Sequence, residues 1–315
     1  MHRIVAGGTG LIGSTLINHW LMQGHTVTVI GRSTEKIRKM FQNRVNSIEL
    51  RSLKPDLFHH AEVVVNLAGA GIADKRWSDT RKKEILHSRI NATQKIVEAL
   101  TALGQNAPPL LNASAIGIYG LQQQVIDGLP LKLDENTPID WNTAPDFLSY
   151  VGREWEKRTH PARDLGIRVV NLRFGVVLAK EGGALPKMVQ PFYFFLGGTI
   201  GSGQQPFSWV AITDVIRAID FLIENPHISG PVNIVAPGCI TQHDLSKMIG
   251  KILHKPSFIP TPAFMLKLFF GEMARELLLE GQNVYPKHLL DSGFNFSFPD
   301  IESALQHVLC AEEKK

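Results

Sequence analysis

The residues with the clearest chemistry stand at the start of the chain, in Gly7-Gly8-Thr9-Gly10-Leu11-Ile12-Gly13. An apolar run, Ile4 to Ala6, leads into them, and an amphipathic segment follows at once. Glycines at this spacing let a backbone turn tightly and bring a helix N-terminus against a pyrophosphate, because a side chain would block the turn, the ligand or the helix-strand packing. Gly7, Thr9, Gly10, Leu11, Ile12 and Gly13 are therefore the expected cofactor cradle. Arg32 stands 19 residues past Gly13, where NAD-specific folds place a carboxylate on the ribose hydroxyls. The local sequence is Ile30-Gly31-Arg32-Ser33, with no acid in it. An arginine fork beside a serine hydroxyl suits a 2′-phosphate, so Arg32 and Ser33 point to NADP(H).

Further polar groups stand at predicted strand ends. Asn66-Leu67-Ala68-Gly69 offers small residues at Ala68 and Gly69, next to Leu67, where a nicotinamide ribose could approach the backbone. Asn91 falls inside a predicted helix, and Ser114 ends a strand five residues before Tyr119. The run Lys75, Arg76, Arg81, Lys82, Lys83 and Arg89 is either a clamp for an anionic substrate or a solvated helix face. Arg76 and Trp77 are its members nearest the predicted cleft. The twelve histidines show no metal-ligand spacing, and no Gly-x-Ser-x-Gly occurs. No nucleic-acid module is present.

The elements that must position these groups alternate. Strands are expected near 26–30, 48, 63–67, 110–114, 167–172 and 232–235, with helices at 11–22, 79–103 and 147–161 between them. Buried parallel strands alternating with helices imply an α/β, Rossmann-type doubly wound parallel sheet, with ligands at the carboxyl ends of its strands. Past Arg173 the rhythm changes to glycine-rich loops and helices near 184–196, 212–224, 241–253 and 263–280. The expected division is a nucleotide-binding domain over 1–172 and a smaller α-rich substrate lobe over 173–315, with segments such as 207–235 returning to the first. Residues 120–146 read as a polar surface excursion.

Composition supports a globular enzyme: 315 residues, 44% apolar, 20% charged, net charge +4. That imbalance is too small to argue for nucleic acid. Cys239 and Cys310 form no redox or metal motif and read as free thiols of a reducing compartment. The longest apolar runs, Pro191 to Leu196 and Ala263 to Phe270, fall far short of a bilayer span and read as core helix faces. With no signal peptide in the pattern, the expectation is a cytoplasmic protein with a small-molecule substrate and neither nucleic acid nor membrane as partner.

The whole chain resembles an extended short-chain dehydrogenase/reductase, on Gly7-Gly8-Thr9-Gly10-x-x-Gly13, Asn66 to Gly69, Asn91, and Ser114 with Tyr119-Gly120. More narrowly it resembles the nucleoside-diphosphate-sugar epimerase-like proteins that carry a C-terminal domain of unknown function. That match rests on Ile72-Ala73-Asp74-Lys75-Arg76-Trp77, Leu172 to Leu178, Gly182-Gly183-Ala184-Leu185, Gly271-Glu272-Met273-Ala274, Gly281-Gln282, Pro286-Lys287 and Gly293-Phe294. The resemblance implies NADP(H) binding with Arg173 among the cofactor contacts, Ser114 and Asn91 in the catalytic set, and a homodimer through the helices 79–103 and 147–161. It also implies a catalytic Tyr with a Lys four residues on, exchanging a proton with substrate oxygen.

The sequence departs from that pattern at the proton donor. The segment Phe147-Leu148-Ser149-Tyr150-Val151-Gly152-Arg153-Glu154 holds no Tyr-x-x-x-Lys. Aligned on Glu156, the tyrosine position is Leu148 and the lysine position Gly152. Tyr150 lies about 200° further round the helix. It serves as the catalytic candidate, with Arg153 as its cation, only if the helix starts in a different register. Two expectations follow: an NADP(H)-dependent oxidoreductase or epimerase-like enzyme on a small or sugar-like substrate, or an NADP(H)-binding redox sensor or regulator with weak catalysis.

Overall fold

Val63, Val64 and Val65 are all buried, as a strand covered on both faces requires. In the computed structural model, which describes residues 1–122 and 130–310, this strand lies at the middle of a seven-stranded parallel sheet. The first half alternates β1 (His2–Ala6), α1 (Leu11–Met22), β2 (Thr26–Gly31), α2 (Thr34–Met40), β3 (Asn46–Glu49), β4 (Val63–Asn66), α3 (Asp79–Thr101) and β5 (Leu110–Ala115). It continues through α4 (Phe147–Lys157), α5 (His160–Asp164) and β6 (Val169–Phe174). Strand β7 (Val176–Leu178) and α6 (Leu185–Tyr193) open the second half. There follow β8 (Pro206–Phe207), β9 (Trp209–Ala211), α7 (Ile212–Glu224), β10 (Gly230–Ile234), β11 (Ile240–Thr241) and α8 (Gln242–Leu253). The last helices are α9 (Ala263–Phe270), α10 (Glu272–Ala274), α11 (Lys287–Asp291) and α12 (Ile301–Cys310).

The sheet order is β10-β6-β5-β4-β1-β2-β3. The chain winds outward from β1 in both directions, so the crevice of a doubly wound fold opens between the carboxyl ends of β1 and β4. One apolar layer, including Leu16, Trp20, Val215 and Ile219, packs α1 and α7 on one face of the sheet. A second, including Ile96, Leu100 and Ala162, packs α3 and α5 on the other. Although β10 comes late in the chain, it completes this sheet beside β6, so the segment from α7 to β10 packs with the large parallel sheet. The remaining elements gather around Trp209, Leu245, Ile249 and Leu305.

Three expectations about elements change. The helix expected over 147–161 is two helices, with Pro161 in the first turn of the second. The helix expected over 263–280 breaks at Gly271, whose φ is +61°, and resumes as α10 and a π-turn over Arg275–Leu279. Of the apolar runs expected in the core, Phe192 is buried there, but Phe194, Leu196, Phe264 and Leu268 are all exposed. Of the expected excursion at 120–146, residues 123–129 lie outside the described residues. The rest is pinned, with Leu133 N–H donating to the Asn283 carbonyl at 2.8 Å and the Arg153 guanidinium donating to the carbonyls of Asp140 and Thr143.

Candidate cofactor and active site

The four glycines of the first turn have different surroundings. A Cβ on Gly7, which has φ +80°, would lie 2.6 Å from the Leu67 carbonyl group. On Gly8 it would meet Ile17 at 2.5 Å and Val29 at 2.7 Å, and on Gly13 the Gly7 oxygen at 2.6 Å. These three let β1, β4 and α1 close on one another. Gly10 differs: the nearest atom to its Cβ is 3.5 Å away, and the residue is exposed. Gly10 is the N-cap of α1 and brings no side chain to the helix's first N–H groups. Those N–H groups have no partner within the helix, and the positive end of its dipole faces the crevice. An open cradle floored by backbone donors fits a pyrophosphate. Gly182 and Gly183, with φ +87° and +71°, approach the Leu11 side chain from the second lobe and roof the same spot.

Arg32 directly follows β2 and is exposed. Among the described residues it makes no side-chain hydrogen bond or ion pair closer than 4 Å, and Glu84 feels its charge from across the crevice. Ser33 caps α2, its hydroxyl accepting from Lys36 N–H at 3.3 Å. Leu67, Ala68 and Gly69 follow β4. The Asn66 side chain accepts from Ala68 N–H at 3.2 Å, and Ser88 from Ala70 N–H at 2.9 Å. Arg89 donates to the Ala70 carbonyl at 3.0 Å, and Arg81 donates to that of Gly71. The cation run is thus split between two uses: Arg81 and Arg89 turn inward and fasten the 69–71 loop to α3, whereas Lys83 points to solvent. Burial, with Arg81 nearby, pulls the Arg89 guanidinium down to about 10, so it stays charged at neutral pH.

Polar residues lie in two rows across one face of the sheet. Asn66, Asn112 and Asn171 are neighbours in register on β4, β5 and β6. Two residues on, Ser114, Arg173 and Asn233 are neighbours on β5, β6 and β10. Spacing by two puts both rows on one side. In the first row Asn66 donates to Asn112 at 2.7 Å and to Thr93 at 2.9 Å, and Trp155 also donates to Thr93. In the second, Arg173 holds Glu156 of α4 through two bonds of 2.8 and 2.9 Å. Ser114 donates to the same carboxylate at 2.7 Å. Arg173 also donates to Tyr119 at 3.0 Å, and Tyr119 donates to Asn233 at 2.9 Å. Burial lowers the Arg173 affinity for its proton, but Glu156 outweighs it and the guanidinium is held above its ordinary range. Burial pushes the Tyr119 phenol up to about 12 against the pull of Arg173.

The structure does not assemble the expected catalytic set. Ser114 is buried and its proton is committed to Glu156. The Arg173 side chain is buried and paired on both edges, with Glu156 on one and Tyr119 on the other. Asn91 is exposed on α3. Tyr150 is 45% exposed, while Leu148 packs on Gly117 and Gly152 on Ile118, so the face of α4 toward the Ser114 turn is the Leu148–Gly152 face. The N-terminus of α4 is instead tied to the second lobe: Glu276 accepts from the N–H groups of Phe147 and Leu148 at 3.2 and 2.9 Å. Its side chain is fully buried, and burial pushes its carboxyl above the usual range. Glu156 and Glu276 went unassigned in the sequence. Glu156 carries one signal, its place as the glutamate on which the resemblance aligns that helix; Glu276, 128 residues from Leu148, carries none.

Beyond the carboxyl end of β5, a cavity of about 450 Å³ opens between Leu121, Gln122 and Ser202 on one side and Ala263, Lys267, Leu279 and Glu280 on the other. A similar one, about 460 Å³, lies beside His2, Thr26 and His60 at the amino ends of the strands, away from where such sheets bind ligands. Among the described residues no cluster of metal-ligating side chains occurs and no helix is long and apolar enough to cross a membrane.

Residues 3–235 match the NAD dependent epimerase/dehydratase family, and residues 261–308 a domain of unknown function, DUF1731. Epimerase family protein YfhF of Bacillus subtilis is 36% identical over 310 residues, 98% of each chain. The chloroplastic SDR39U1 homolog of Arabidopsis thaliana is also 36% identical, over 97% of this chain and 86% of that protein. Among solved structures, human epimerase family protein SDR39U1 with NADPH superposes with a TM-score of 0.86 at 32% identity, covering 98% of this chain and 99% of that one.

Proposed function

From the premise that the chain belongs to the NAD-dependent epimerase/dehydratase family, we propose that it binds NADP(H) across the carboxyl ends of β1 and β4 and acts as an oxidoreductase or epimerase-like enzyme on a small or sugar-like substrate. The observation that carries the cofactor choice is the end of β2, where exposed Arg32 stands in place of a carboxylate. The human relative bound to NADPH supports it. Gly7, Thr9, Gly10, Leu11, Ile12 and Gly13 would hold the pyrophosphate, Arg32 and Ser33 the 2′-phosphate, and Leu67, Ala68 and Gly69 the nicotinamide side. When bound, the cofactor supplies hydride chemistry. This chain's own residues orient it, through the anchored 69–71 loop and the Gly10 cradle beside which Gly182 and Gly183 approach Leu11. The cavity beside Lys267 is where a substrate would lie, and a homodimer through α3 and α4 belongs to the same proposal.

A second reading is favoured by one observation: Ser114 is spent on Glu156, and Leu148 and Gly152 occupy the tyrosine and lysine positions. On that reading the protein binds NADP(H) as a sensor or regulator with little turnover. Titration of NADPH and NADH against wild type and Arg32→Ala tests the binding: the substitution should weaken NADPH far more than NADH, and equal losses would refute the assignment. A panel of carbonyl compounds and nucleotide sugars, followed by NADPH absorbance, separates the two readings. Mass spectrometry of co-purifying small molecules would identify the substrate class.

A further inference from the structure

Eleven of the seventeen large apolar side chains exposed among the described residues fall in 193–196, 258–259 and 264–270. The three segments adjoin. Ile259 N–H donates to the Gly197 carbonyl at 3.1 Å, Thr261 N–H to that of Thr199 at 2.8 Å, and α9 begins two residues later. Helix α9 reads Ala-Phe-Met-Leu-Lys-Leu-Phe-Phe and buries none of its eight residues. Ala263 and Lys267 line the cavity, while Phe264, Leu268 and Phe269 point elsewhere at 71%, 69% and 61% exposure. Phe195 adopts φ +61°, a left-handed conformation that a bulky side chain keeps only when its surroundings force it. The strained residue lies outside the core, 56% exposed, with the Lys255 ammonium 4.2 Å above its ring.

We propose that this surface docks the protein on an anionic lipid membrane, its aromatic and aliphatic side chains entering the headgroup boundary and Lys255 meeting lipid phosphates. The argument for lipid over another protein is charge. No Asp or Glu occurs in 255–271 or in 182–213, the two stretches that build the face, and Lys255 lies over its Phe195 ring. A second copy meeting the same face about a two-fold axis would bring like-charged Lys255 side chains toward one another, with no acid in either stretch to pair them. An exposed apolar face built from stretches that carry lysine and no acid is the pattern of an interfacial surface, where area and charge both favour anionic bilayers. The absence of a spanning helix bears on crossing a membrane, not on resting against one.

Flotation of the full chain with vesicles of phosphatidylcholine, alone or mixed with phosphatidylglycerol, tests the proposal. The wild type should float with the mixed vesicles and not with the neutral ones. Lys255→Gln should reduce partitioning about fivefold, the effect of one lysine near a charged surface. Phe264→Glu with Leu268→Glu should reduce it on the order of a hundredfold by removing two inserted side chains. Both variants should keep the wild-type circular dichroism and melting temperature, which shows that the loss is not unfolding. Wild type that stays below the vesicle layer overturns the proposal, as does flotation that these substitutions leave unchanged. A concentration-dependent dimer in light scattering, split by the double variant without any flotation, would assign the face to a second copy and overturn it equally.

Discussion

Ser114 Oγ and Arg173 Nε meet on one atom, Oε1 of Glu156, at 2.7 and 2.8 Å. The three residues come from β5, β6 and α4, so the contact locks that helix onto the sheet below the candidate crevice. A buried carboxylate held by a bidentate arginine and a serine is fully satisfied, and removing one partner leaves the other charge without a counter-ion.

The relationship predicts unequal costs within the triad. Glu156→Gln leaves the Arg173 charge buried and unpaired and should destabilise the fold by about 3–5 kcal/mol. Ser114→Ala removes one hydrogen bond from a carboxylate that keeps two and should cost about 1 kcal/mol. Urea denaturation of both variants checks the order. If Ser114 instead served substrate directly, Ser114→Ala would abolish turnover while leaving the urea midpoint in place.

The glycines of the first turn separate folding from binding. Alanine at Gly13 puts a methyl group 2.6 Å from the Gly7 oxygen and 2.8 Å from the Gly8 Cα, backbone atoms that cannot swing aside. The expected cost is about 3 kcal/mol. Alanine at Gly10 meets nothing nearer than 3.5 Å, at a backbone conformation any residue adopts, and should cost roughly 1 kcal/mol or less. Yet it fills the cradle, so Gly10→Ala should fold and lose NADPH. Thermal melting and NADPH titration of the two proteins give the test; retained NADPH binding in Gly10→Ala would remove the cradle from the cofactor site.

Tyr119 makes alkaline stability a readout of the polar row. Its phenol is pushed up to about 12 by burial, whereas in the unfolded chain it ionises near its ordinary value of 10. The folded state holds the proton more tightly, so this contribution is intact below pH 10 and is lost as pH rises from 10 toward 12. Tyr119→Phe forfeits the bonds to Arg173 and Asn233 at neutral pH but lacks this alkaline loss. Absorbance titration at the phenolate band, wild type minus variant, should show the late-titrating group; a midpoint at the ordinary tyrosine value would contradict it.

What the sequence disclosed was local. The glycine turn and Arg32 are legible because each acts through backbone conformation or position after a strand, and the alternation of valine-rich strands with helices carries the parallel sheet. Partnerships set by register were not legible. Ser114 and Arg173 become neighbours only because β5 and β6 pair with that offset, and the inward turn of Arg81 and Arg89 depends on a loop whose path no periodicity encodes. Apolar content also misled at 191–196 and 263–270. Hydrophobicity shows that a segment avoids water, not which surface relieves it: here the core takes Phe192 and leaves Phe194, Leu196, Phe264 and Leu268 exposed.

Glu276 offers the last test, because its two roles pull in opposite directions. As an anion at the N-terminus of α4 it satisfies Phe147 and Leu148 N–H, while burial and the nearby carboxylates of Asp146 and Glu272 push its carboxyl above the usual range. A raised value in the folded state means the protonated form is favoured there. The contribution is therefore complete at pH below the ordinary glutamate range and declines as pH rises through the higher folded value. Glu276→Gln keeps one acceptor, gives up the charge and should be insensitive to that rise. The urea midpoint of wild type should fall relative to Glu276→Gln as pH rises above the ordinary glutamate range, whereas Glu276→Ala, which leaves both N–H groups bare, should be lower by about 1–2 kcal/mol throughout. A wild-type advantage over Glu276→Gln that grows with pH would show that the helix dipole, not burial, governs this carboxylate.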